Sequence, residues 1–109
     1  MNIITNYQAN KLALKNLRER REEALKMFKE IYEEDEILRV FISSVFENVK
    51  KEAEKGFFDY ETTLFLENYA GSFEGLRSVF VDALECLGYK TAGYIKGKGI
   101  SLWIGWGHE

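Results

Sequence analysis

No proline occurs anywhere in the 109 residues and no glycine precedes Gly56, so the first half lacks both of the residues that most often interrupt a helix. Long helices are therefore expected before Gly56, and glycine-punctuated structure after it. Thr5 with Gln8 three residues later forms a capping box that starts the first helix near Asn6. Its apolar stripe, Tyr7, Leu14, Leu17, Ala24, Phe28 and Ile31, is narrow and is broken by Arg21. Glu33, Glu34, Asp35 and Glu36 would sit at the negative end of a helix but suit the start of one, which places a break there with Asp35 as the next N-cap.

A second helix, 36 to 55, carries Leu38, Phe41, Ile42, Val45, Phe46, Val49 and Ala53 on a broad apolar face and stops at Gly56. Phe58, Tyr60, Thr62, Leu64 and Leu66 then alternate with Asp59, Glu61, Thr63, Phe65 and Glu67, the period of a half-buried strand over 57 to 67. Ser72 caps a third helix with Leu76, Val79, Phe80, Ala83, Leu84 and Leu87 facing a core; Gly88 ends it, and Tyr89 folds back onto Leu84. Six of the nine glycines lie from residue 88 onward, where a hairpin is expected. A two-residue II′ turn at Gly97-Lys98 pairs Lys96 with Gly99 and then Ile95 with Ile100, Gly93 with Leu102, Thr91 with Ile104 and Tyr89 with Trp106. A three-residue turn would set Lys96 against Ile100 and Lys90 against Trp106, so the first register is preferred.

The expected fold is α+β in the order α-α-β-α-β-β. A long helix over 5–34 precedes an α-β-α-β-β core over 35–109, within one domain. With 46% hydrophobic residues and a net charge of −3, intrinsic disorder is excluded. The first residues show no export signal and no window reaches the roughly 18 apolar residues of a membrane span, so a soluble, cytosolic protein without membrane contact is expected. One cysteine makes no internal disulfide.

Most catalytic chemistry is disfavoured by what the chain lacks. Its one histidine, His108, is penultimate and poorly placed for a triad, and one Cys with one His cannot make a zinc site. Cys86 adjoins the third helix's apolar stripe, with Asp82 and Glu85 close by in sequence, so it reads as a small hydrophobe. Gly97-Lys98-Gly99 lacks the remaining phosphate-loop spacing. Asp59 and Glu61 share a strand face, but Thr63 stands where a metal nuclease would place lysine, and two carboxylates are a weak ligand set. No catalytic residue, metal or cofactor is expected.

Charge and aromatic pattern point to binding. Lys11 to Arg21 holds five basic residues and one acidic, whereas Glu30 to Glu36 holds five acidic and none basic. Nucleic-acid contact is a minor reading, because the whole chain is acidic and pairs such as Arg18-Glu22 and Glu22-Lys26 would neutralise the helix surface. Residues 52 to 85 carry a local charge of −6, with Asp59, Glu61 and Glu67 as candidate acidic surface. On the hairpin's second face Tyr94 lies diagonal to Trp103, with Lys90, Lys96 and Lys98 around them, a candidate partner-binding set. The competing and favoured reading lays the first helix over that face and buries Trp103. The same helix, about 40 Å long at ~1.5 Å per residue, could instead pair with a second copy.

Three stretches resemble small phage-encoded accessory proteins: Ala53-Glu54-Lys55-Gly56-Phe57-Phe58, Leu87-Gly88-Tyr89-Lys90, and Ile100-Ser101-Leu102-Trp103-Ile104-Gly105-Trp106. The likeness covers residues 38–106 loosely and carries no catalytic residue. It implies a non-enzymatic product that binds and inhibits a host or defence protein in the host cytoplasm, anti-CRISPR proteins being one such group. A structural, self-assembling phage protein is the alternative, and a nucleic-acid binder the third.

Overall fold

Each helix begins where a side chain accepts the otherwise orphaned amide protons of its first turn. In the computed structural model, which describes residues 3–107, Thr5 and Gln8 form the reciprocal capping box of α1 (Asn6–Glu34). Asp35 accepts from the Leu38 amide at the start of α2 (Glu36–Glu54), and Ser72 accepts from Gly75 at the start of α3 (Phe73–Cys86). At the end of α3 the Tyr89 amide bonds to the Leu84 carbonyl and the Gly88 amide to Glu85, the paired bonds of a Schellman stop.

The strands are β1 (Asp59–Phe65), β2 (Lys90–Lys96) and β3 (Gly99–Gly105), joined as an antiparallel sheet in the order β1-β3-β2. The fold is α+β with the expected element order. The β2–β3 register is the one derived from the two-residue turn: Lys96 pairs with Gly99, Ile95 with Ile100, Gly93 with Leu102 and Thr91 with Ile104. Gly97 takes φ +62° while Lys98 does not enter the positive-φ region, as a II′ turn requires. Gly97→Ala should therefore cost about 1–2 kcal/mol, measured as a lowered urea midpoint; an unchanged midpoint would mean the turn is not under this constraint.

One sheet face meets the helices. Ile100, Leu102 and Ile104 of β3 are essentially inaccessible and pack with Leu38, Ile42, Phe80 and Leu84. Strand β1 is shorter than expected, and Phe58, expected on the core side, is 57% exposed just before its first residue, Asp59. The expected cover of the other sheet face by the first helix does not occur. Helix α1 packs on α3 and α2, on the core side of the sheet. Two interhelix ion pairs help set that position, Arg20 to Asp82 at 3.2 Å and Arg21 to Glu85 at 2.6 Å. The residue that breaks the α1 stripe is thus its polar link to α3, and the pairs Arg18-Glu22 and Glu22-Lys26 are not formed. Only the second half of α1 contributes buried residues, Ala24 and Phe28, while Tyr7 and Leu14 from the expected stripe stay exposed.

Candidate protein interface

Strand periodicity sends every second residue of the sheet away from the helices. With no element laid over it, that side forms one open surface of four cross-strand rows, read from β2 through β3 to β1. The first row is Lys90, Gly105 and Asp59; the second is Ala92, Trp103 and Glu61. The third is Tyr94, Ser101 and Thr63, and the fourth is Lys96, Gly99 and Phe65. Charge is sorted across the strands, with carboxylates on β1 and ammonium groups on β2.

The centre is low and ordered. Ser101 is buried, and its hydroxyl lies 2.9 Å from that of Thr63, so the hydroxyls satisfy each other within the sheet surface. Trp103 is half-buried and its indole reaches over Gly105: a methyl group added at Gly105 would come within 2.7 Å of the ring. The indole Nε1–H donates to Asp59 Oδ2 at 3.3 Å. Across the sheet the Phe65 ring leans over Gly99, 3.0 Å from where a β-carbon would stand. Large rings thus fill the space over glycines, and Ala92, Ser101 and Thr63 leave a shallow floor between them.

The structure brings Tyr94, Trp103, Lys90, Lys96, Asp59 and Glu61 of the candidate residues onto this face. Lys98 sits in the turn at its end, where its carbonyl accepts from the Leu66 amide. Glu67 lies in the turn after β1, off the face. The alternation along β1 puts Phe65 on the solvent side but does not single it out, although at 72% exposure it is the most prominent apolar group here. Its signal was a large ring directly opposite a glycine, which becomes visible only when the β1–β3 register is known. Tyr94 is 53% exposed. Phe65 and Tyr94 stand on opposite outer strands and one row apart, a diagonal of about 12 Å at ~4.8 Å per strand and ~3.3 Å per residue.

Other candidates are less organised. Cys86 is half-buried at the end of α3, in a groove shared with Arg18 and Arg21, so α1 supplies basic neighbours that are distant in sequence; Arg21 is committed to Glu85. His108 lies outside the described residues. Among the described residues no three His, Cys, Asp or Glu side chains are grouped to hold a metal ion, and no helix is long and apolar enough to cross a membrane. No protein-family model, curated protein or solved structure matches the chain.

Proposed function

We propose that this chain is a non-enzymatic binding protein that docks the open face of its sheet onto another protein. The observation that carries this reading is the composition of that face: exposed Phe65 and Tyr94 flank a floor of small side chains, with carboxylates along one side and lysines along the other. Rigid aromatics within a polar rim are the usual anchors of protein interfaces. A single strand of nucleic acid would also stack on such rings, but Asp59 and Glu61 beside Trp103 would repel its phosphates. A protein partner can answer both signs of charge at once.

The resemblance to phage accessory proteins narrows the partner to a host or defence protein, inhibited by occupation of its surface in the host cytoplasm. The test compares wild type with Phe65→Ala/Tyr94→Ala in cells carrying an active defence system. Both side chains project from the sheet, so the double variant should keep its circular dichroism spectrum. Wild type should protect an infecting phage, and the double variant should protect it at least about tenfold less, from loss of two aromatic anchors. Protection by both proteins alike would count against the sheet face as the contact. Salt-sensitive binding of the wild type to single-stranded DNA would favour nucleic acid instead.

A further inference from the structure

The start of α1 is exposed, unlike the second half of the helix, which is docked through Ala24 and Phe28. Ile4 just before the cap, and Tyr7, Leu12 and Leu14 in the first three turns, are exposed. The chain's accessible surface is 7866 Å², against about 6,200 Å² for a compact monomer of this mass. Its radius of gyration is 16.0 Å, where about 13 Å is usual. The surplus, roughly 1,700 Å² on one chain, exceeds the ~800 Å² that each partner of a standard interface buries.

Helix α1 is also charged against its own dipole. Its first turn has no acidic residue and its last turn has no basic one. Arg39 of α2 donates to the carbonyls of Tyr32 and Glu33, which satisfies backbone there. Yet among the described residues Glu30, Glu33 and Glu34 join no ion pair, and neither do Lys11, Lys15 and Arg18 near the other end. In an antiparallel pair the N-terminal half, with Lys11, Lys15 and Arg18, meets a C-terminal half that holds five of the helix's six glutamates.

The apolar pattern fits the same arrangement. Tyr7, Leu14, Leu25 and Tyr32 follow one stripe beside the core-facing one, at steps of seven, eleven and seven. Leu25 and Tyr32 border an open groove of about 570 Å³ between α1 and α2, lined further by Phe28, Ile42 and Phe46. We propose that two copies of this chain form a two-fold dimer through antiparallel α1 helices, the N-terminal turns of each lying along the α1–α2 groove of the other. With the two-fold between residues 19 and 20, Tyr7 faces Tyr32, Leu14 faces Leu25, and Lys15 comes beside Glu22 of the other copy. Each dimer then carries two sheet faces.

Sedimentation velocity on the full chain, from about 1 µM to about 1 mM, should show a rise from 12.7 kDa to twice that mass as dimer forms. Leu14→Glu should weaken association by at least about tenfold, because it would bury an unpaired carboxylate. The register is tested by charge exchange: Lys15→Glu alone and Glu22→Lys alone should each fail to self-associate, whereas their mixture should dimerise, since both crossed contacts are then opposite in sign. All three positions are exposed on α1, so unchanged helix content is expected and is checked in each variant. A wild type that stays monomeric throughout, a dimer indifferent to Leu14→Glu, or a mixture that associates no better than its components would overturn the proposal.

Discussion

Replacing Phe80 by alanine is expected to remove about 3–5 kcal/mol of stability, a large share of the roughly 5–15 kcal/mol that holds a domain of this kind together. Phe80 is only 1% exposed and stands where the three helices converge. Its ring meets Phe28 of α1 edge-on at 5.7 Å and Phe41 of α2 at 6.0 Å. The space around these rings and Leu102 is already closed to all but a void of about 10 Å³, so little collapse can refill the volume that truncation empties. The loss should appear as a lowered urea midpoint with unchanged slope, followed by tryptophan fluorescence. A second consequence separates this site from an ordinary core position. Of the residues α1 buries, Phe28 is the larger, so amide exchange in the second half of α1 should accelerate more than exchange in β3. A loss below about 1 kcal/mol would mean that the convergence of rings is not what holds the helices.

The contrast between Phe28 and Tyr7, both on the expected stripe of the first helix, shows what a single sequence discloses. Caps and periods are local, and they were readable: Thr5, Asp35 and Ser72 begin the three helices as their side-chain chemistry dictates. The hairpin register was readable because the competing turn sets Lys96 against Ile100. Where a stripe docks is not local. Arg21 looked like a flaw in the α1 face until Glu85, 64 residues away, proved to be its partner. Alternation along a strand reports that one face is buried and says nothing of whether something else covers the second. The cover expected over Trp103 therefore had no support in the pattern of β2 and β3 themselves. The candidate site was legible as a set of residues on a face, apart from Phe65, and illegible as an open one.

The close approach of α3 to β2 can be tested at a single residue. Gly93 is on the helix-facing side of β2, paired with Leu102. A β-carbon placed there would come within 2.9 Å of Val81 Cγ2, 3.1 Å of Leu102 Cδ2 and 3.2 Å of Arg77 Cγ. Arg77 also donates to the Gly93 carbonyl at 3.3 Å, which occupies that carbonyl on an edge strand. A larger residue thus strikes two α3 side chains and one from the central strand together, none of which can retreat without disturbing packing or that hydrogen bond. Gly93→Val is expected to cost about 2–3 kcal/mol through overpacking, even though valine suits a strand better than glycine does. Because the tightest contact is with Val81, adding Val81→Ala should recover about 1 kcal/mol or more of that loss, a coupling that independent sites would not show. Urea denaturation of the wild type, the two single variants and the double variant closes the cycle. Simple additivity would place the obstruction elsewhere. Strong coupling would show that glycine at 93 sets the distance between α3 and the sheet, and with it the position of Tyr94, the next residue along β2, on the opposite face.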